Sequence, residues 1–179
     1  AVLKSSNVII KIKKFIYLLN HRLRKNNISK AKKNIYEHYD LGNDFFNLFL
    51  DNHKVYSSGI YLSEKDTLEK AQLNKIDNAL KLADIKPNHK ILEIGSGWGA
   101  LAIRAVETIG CHVTTVTISD EEYKYVKQLI NKAHLDHLIE VKLMDYRYLT
   151  GKFDRIISVE MLNDVGKDWM YKESAQRVF

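Results

Sequence analysis

His89-Lys-Ile-Leu-Glu93-Ile94-Gly95-Ser-Gly97-Trp-Gly99-Ala100 is the stretch that decides the fold. Its first half, His89–Ile94, is short, apolar and rich in β-branched residues, as a buried strand is. Three glycines at two-residue spacing follow; they permit a tight turn and the approach of another group where a Cβ would collide. Apolar residues then recur at helical spacing over Leu101–Thr108. The stretch therefore reads strand, glycine turn, helix.

Working downstream, Cys111–Ile118 reads as a β-branched strand and Glu121–Ala133 as a second helix. Leu138–Leu143 and Phe153–Val159 read as two further strands, with the turn-like Thr150-Gly151 between them. Strands alternating with helices on short links predict an α/β fold with a doubly wound parallel sheet. Ligands of such sheets sit outside the carboxyl ends of the strands, where strand order reverses. The four tips are Glu93–Gly99, Thr117–Glu122, Asp145–Arg147 and Glu160–Gly166, all polar or glycine-rich.

The glycine spacing is neither the dinucleotide Gly-x-Gly-x-x-Gly nor a Gly-Lys-Ser/Thr phosphate loop. Glu93 at its head would repel a phosphate, yet it suits the cationic amino-acid end of S-adenosylmethionine. The helix starting near Gly99 adds free N–H groups. The alternative is an ordinary strand-to-helix turn. At the second tip Asp120, Glu121 and Glu122 are either acceptors for paired ribose hydroxyls or the acidic first turn of a helix. At the third, Asp145 could accept from an adenine amino group while Tyr146 packs on the ring, or the segment is a solvated turn.

Working upstream, Pro87 is a boundary mark. Before it, Leu68, Ala71, Ile76, Ala79, Leu80 and Ala83 form a helical apolar face, and Asp66–Glu69 has capping-box spacing. Residues 1–33 hold ten Lys or Arg and no acidic residue, so this segment carries +10 and the remainder −4. Val8, Ile12, Phe15, Ile16, Leu19 and Leu23 form one apolar stripe opposed by the bases. Such a helix suits an anionic membrane surface; the alternative is a helix docked on its own domain. The acidic body argues against nucleic acid as a partner. Three segments result: a basic amphipathic segment 1–33, a helical cap 34–87, and a core 88–179.

Composition supports a packed core, with 45% hydrophobic and 28% charged residues. No apolar run approaches the ~20 residues of a membrane span. The single cysteine, Cys111, excludes an internal disulfide and a cysteine-built zinc site, and suits a reducing compartment.

Four more strings complete the pattern: His38-Tyr-Asp-Leu-Gly-Asn-Asp-Phe45-Phe46, Phe49-Leu-Asp51, Tyr56-Ser57-Ser58-Gly59-Ile-Tyr61 and Leu68-Glu-Lys-Ala71-Gln72-Leu-Asn-Lys75. Together with the strand tips, from about Ile35 to Gly166, they resemble the cyclopropane-fatty-acyl-phospholipid synthase and mycolic acid cyclopropane synthase family. The resemblance implies a Rossmann-like class I methyltransferase sheet and S-adenosylmethionine as cofactor. It implies methyl transfer to the cis double bond of an unsaturated acyl chain, such as that of a phospholipid. The olefin attacks the sulfonium methyl, and loss of a proton to bound bicarbonate closes a cyclopropane ring in a site that must exclude water.

Carried onto this sequence, the resemblance assigns cofactor contacts to Tyr56, Ser57, Glu93, Gly95, Ser96, Gly97, Trp98, Gly99, Thr117, Ser119, Glu122, Asp145 and Tyr146. The helix bearing Phe45, Phe46 and Phe49 either lines an acyl channel or is plain core. Catalytic candidates are Ser58, Glu160 and Asn163, with no metal. Ser58 stands where the family has cysteine, Glu122 where it usually has glutamine, and Asn163 where it has the glutamate that holds bicarbonate, so simple methylation could replace ring closure. Four strands precede Phe179 where the family sheet has seven, so the chain reads as truncated after the fourth. The expected location is cytoplasmic, peripheral at the membrane. Two other readings stay open: a methyltransferase for another small acceptor, and an inactive cofactor- or membrane-binding fragment.

Overall fold

The computed structural model describes residues 42–161. The basic segment 1–33 and Asn163 lie outside the described residues. Four strands, β1 (Lys90–Ile94), β2 (His112–Thr117), β3 (Ile139–Leu143) and β4 (Arg155–Ile157), form one sheet in the order β3-β2-β1-β4. Every pairing is parallel. The helices are α1 (Gly42–Asn47), α2 (Leu68–Leu82), α3 (Ala100–Ile109) and α4 (Asp120–Lys132).

Side-chain alternation sorts the strands onto two faces. Ile91, Val113, Ile139, Val141 and Ile157 point into the larger core, against Ile76 and Leu80 of α2, Leu101, Ala105 and Val106 of α3, and Val126 and Ile130 of α4. Leu92 and Val116 point the other way, onto Leu149, Tyr146 and Phe153 of the β3–β4 connection. The chain runs β1, β2, β3 outward along one direction, then crosses back to place β4 on the far side of β1. The strand order reverses between β1 and β4.

Local chemistry sets the helix ends. Ser119 accepts a hydrogen bond from the Glu122 N–H at the start of α4, and the acidic residues Asp120, Glu121 and Glu122 occupy its first turn. At α2 the cap is Thr67, whose hydroxyl accepts from the Lys70 N–H; the expected capping box at Asp66–Glu69 does not form. Asp66 instead accepts from Leu62 N–H and from Asn74 Nδ2, closing the loop before the helix. A planar fork joins α2 to α3, with Arg104 Nε and Nη2 each 2.8 Å from an oxygen of Asp77.

Among the described residues the expected strands and helices form, with ends shifted by a residue or two. The exception is the last strand, where only Arg155–Ile157 of Phe153–Val159 pairs. Phe153 leaves the ladder to join the smaller core. Beyond Ile157 the partner strand β1 has turned away, and Ser158 reaches it only through its hydroxyl, which donates to Ile94 O at 3.0 Å. Cys111 is a buried member of the larger core, a small apolar residue in effect. Among the described residues, no helix is long and apolar enough to cross a membrane.

Candidate functional site

Four segments frame the carboxyl end of β1: the glycine turn, the β2 tip, the turn after β3 and residues 51–60. The first is the glycine turn. Gly95 and Ser96 N–H both donate to Val116 O of the neighbouring strand, which pins the turn across the top of β2. Gly97 has φ +48° and open space where a Cβ would stand. Gly99 has φ +87°, and a Cβ there would meet Val126 Cγ1 at 3.2 Å, so the close approach of α3 to α4 requires glycine. Helix α3 starts at this residue with no side-chain cap, leaving first-turn N–H groups toward the crevice.

Beneath the turn lie two carboxyl groups. Glu93, on β1, is 4% exposed, and its Oε2 has no partner among the described residues. Burial pushes its pKa up to about 8; the neighbouring Thr115 hydroxyl works against that rise and the charge of Glu122 adds to it. Glu122 is not a surface residue of the first turn of α4. Its side chain folds back, and Oε2 takes the Thr117 hydroxyl at 2.6 Å in a buried bond. Burial raises its pKa too, while the hydroxyls of Thr117 and Ser96 draw it down. Thr117 Oγ1 in turn accepts from Ser119 N–H at 3.0 Å. Asp120 and Glu121 stay exposed.

The third segment follows β3. Asp145 caps a single 3-10 turn, Tyr146–Tyr148, and grips Arg147 through its backbone N–H, Nε and Nη2. Burial would raise the Asp145 pKa, but these bonds to Arg147 outweigh it and hold the carboxylate below its ordinary value. Tyr146 packs on the smaller core, and its buried hydroxyl has no partner among the described residues.

The fourth segment, residues 51–60, is strapped to α2. Gln72 Nε2 donates to Ser57 O at 2.6 Å and to Val55 O at 3.3 Å, and Lys75 Nζ bonds Ser57 Oγ. Ile60 N–H donates to Ala71 O, and a Cβ at Gly59 would stand 2.8 Å from Ala71 Cβ, which fixes how closely the strap lies. At one end Tyr56 joins an aromatic cluster: Phe46 lies 4.9 Å from Trp98 of the glycine turn and 5.4 Å from Tyr56, ring centre to ring centre, with Phe45 and Phe49 outside it. At the other end Ser58 Oγ meets Glu160 Oε1 at 3.4 Å. The strap thus crosses from the glycine turn to the tip of β4, where Met161 lines Gly95.

The family description "Mycolic acid cyclopropane synthetase" matches residues 26–178. The chain belongs to this family. Among curated relatives, a tuberculostearic acid methyltransferase of Mycobacterium tuberculosis is 40% identical, covering 78% of this chain and 34% of its own length. A cyclopropane-fatty-acyl-phospholipid synthase of Escherichia coli is 41% identical over 73% of this chain and 33% of its own. A crystal structure of the mycolic acid cyclopropane synthase CmaA1 complexed with SAH and CTAB superposes with a TM-score of 0.73 at 34% identity, covering 76% of this chain and 48% of that one. The chain therefore spans between one third and one half of these relatives.

The expected Rossmann-like methyltransferase sheet is the fold of this chain. Of the expected site residues, Tyr56, Ser57, Ser58, Glu93, Gly95, Ser96, Gly97, Trp98, Gly99, Thr117, Ser119, Glu122, Asp145 and Tyr146 fall on these four segments, and Glu160 stands at the β4 tip against Ser58. Lys75 and Gln72 escaped notice as site residues. Their signal was present: Ala71, Gln72 and Lys75 share one face of α2, and a glutamine and a lysine turned toward the core need partners there.

Proposed function

We propose that this chain is the cofactor-binding part of an S-adenosylmethionine-dependent C-methyltransferase. Its substrate would be the cis double bond of an unsaturated phospholipid acyl chain, and its product a cyclopropane or methyl-branched chain. The observation that carries the reading is the buried Oε2 of Glu93, without a partner among the described residues, under the glycine turn where the strand order reverses. A buried acceptor in that position calls for a cationic donor, and the α-ammonium of S-adenosylmethionine is one. The site fits the cofactor further: space is free at Gly97, and the Tyr146 hydroxyl is an unused polar group. When bound, the cofactor supplies an electrophilic methyl group.

The chain's own residues would do the rest. Glu93 receives the ammonium and gives up its proton on doing so, and Glu122 with Thr117 and Ser119 holds the β2 tip against the glycine turn. Phe45, Phe49 and Tyr56 are each about half exposed beside the buried Phe46 and Trp98. They offer an acyl chain an apolar wall whose ring faces favour positive charge and exclude water. Ser58 and Glu160 stand together at the β4 tip, where a proton leaving the new methyl group needs an acceptor; with Asn163 they are the candidates to hold bicarbonate. The names of the two curated relatives support a lipid acyl substrate, and that of the bacterial phospholipid enzyme supports the head-group class. The basic segment 1–33 would bring the protein to anionic lipid at the cytoplasmic surface.

The test is calorimetric titration with S-adenosylmethionine and S-adenosylhomocysteine, with Gly97→Asp as control. Incubation with unsaturated anionic phospholipid vesicles follows, with mass spectrometry of the acyl chains. Binding lost in the control, and chains heavier by one methylene, are expected. A folded chain that binds neither ligand refutes the reading; binding without product favours a cofactor-binding module.

A further inference from the structure

Ser57 is held from two sides by one helix. Gln72 takes its carbonyl at 2.6 Å, and Lys75, one turn further along α2, takes its hydroxyl oxygen. A charged ammonium has three donors and no acceptor, so in this pair Ser57 Oγ can only accept. Its own proton is left to point elsewhere, and no acceptor for it stands among the described residues. The lysine is half-buried, which lowers its pKa, while the charges of Glu160 and Asp51 oppose that fall. These two carboxylates do not consume the bond: Glu160 meets Ser58, and Asp51 takes the N–H groups of His53 and Val55.

We propose that Lys75 is a positioning residue that fixes the Ser57 hydroxyl as an outward donor, polarised by the ammonium, for the carboxylate of an amino-acid ligand in the crevice. The inference rests on the cofactor reading above and names the second half of the recognition. Glu93 is an acceptor waiting for an ammonium, and the Lys75–Ser57 pair is a donor waiting for a carboxylate. A site with both ends selects a zwitterion. Lys75 itself acts through Ser57 and through its positive charge, with no contact to the ligand required.

A double-mutant cycle tests this by calorimetry with S-adenosylhomocysteine as the probe, on the chain as it stands. Lys75→Met keeps the aliphatic stem and removes the donor; it is expected to weaken binding about tenfold. Ser57→Ala is expected to weaken it to a similar degree, and the double variant no further than the worse single one, since the two act as a unit. Lys75→Arg restores part of the affinity. Methylthioadenosine, which has no carboxylate, should bind all four proteins alike. Thermal unfolding of each variant separates loss of the strap from loss of the donor: a merely structural lysine would weaken both ligands together. Additive losses, equal losses for the two ligands, or unchanged binding by Lys75→Met overturn the inference. Failure of the unaltered chain to bind S-adenosylhomocysteine overturns the cofactor reading, and this inference falls with it.

Discussion

Replacing Glu93 with glutamine should make the protein more stable and the site worse, and the gain should grow with pH. The native carboxyl holds its proton up to about pH 8, whereas an unfolded glutamate releases it near the ordinary value of 4.5. Between those values the native chain binds a proton that the unfolded chain has lost, so stability falls as pH rises and levels off above the native value. At ~1.4 kcal/mol per pH step the full penalty approaches about 5 kcal/mol, and relaxation of the surroundings reduces it to roughly 3. Glutamine keeps the shape and cannot ionise. For a domain of this size ~3 kcal/mol is on the order of 10 °C in Tm. The Tm difference between Glu93→Gln and the unaltered chain, followed by circular dichroism, should therefore be smallest near about pH 5 and widen by about 10 °C by about pH 8. The difference cancels the titrations that Glu93 does not touch, Glu122 being coupled to it. The same variant should bind S-adenosylmethionine about tenfold or more weakly, because the ammonium loses a charged acceptor. Calorimetry in buffers of different ionisation enthalpy should show close to one proton released per ligand bound at neutral pH by the unaltered chain, and none by the variant. Parallel Tm curves, or equal proton release, would refute the argument that Glu93 is a buried acid awaiting a cation.

Other outcomes follow from the same geometry. Gly99→Ala combines a φ of +87° with a Cβ pressed against Val126 and should cost about 2–3 kcal/mol in denaturant unfolding. Gly97→Ala, with a positive φ but open space, should cost nearer ~1 kcal/mol and lower cofactor affinity more than stability. Phe46→Ala removes the ring that joins Trp98 to Tyr56; a loss of about 3 kcal/mol is expected, with weaker cofactor binding by the freed strap. If residues 1–33 seek anionic lipid, sedimentation with vesicles containing phosphatidylglycerol should exceed that with neutral vesicles and fall steeply with added salt; equal sedimentation with both would refute it.

The sheet was legible because its signals are local. Period-two β-branched runs, glycine turns and short links fix strands and helices within a window of a few residues, so β1, β2 and α3 stand within a residue of expectation. What escaped notice depends on contacts between distant residues. Thr67 and Asp66 compete for one helix end, and the choice is made by Asn74, eight residues away, which gives Asp66 another use. Glu122 has the sequence of a solvent-facing first-turn acid; only the fold brings the Thr117 hydroxyl and the roof of the glycine turn to it and buries it. Lys75 and Ser57 lie 18 residues apart and meet because the strap runs back along α2. The last strand came out short for a related reason: its ladder ends where its partner turns, and pairing is a property of two segments.

The features that local rules disfavour gather at one edge of the sheet. Positive φ closes turns elsewhere too, at Lys54, Asp84, Asn88, Gly110, His134 and Gly151. At the carboxyl edge it occurs at Gly95, Gly97 and Gly99, and at Glu160, a residue with a Cβ to accommodate and a carboxylate turned to Ser58. Beside them stand a buried carboxyl oxygen with no partner among the described residues and three large aromatic rings left half in water. At the opposite edge the polar groups are matched: Lys90 N–H with Asp154, and Arg155 with Ala83 O. A sequence selected for stability alone would have no reason to bring orphaned polarity and exposed rings together on one side. Their common place at the carboxyl edge of the sheet is independent of any relative.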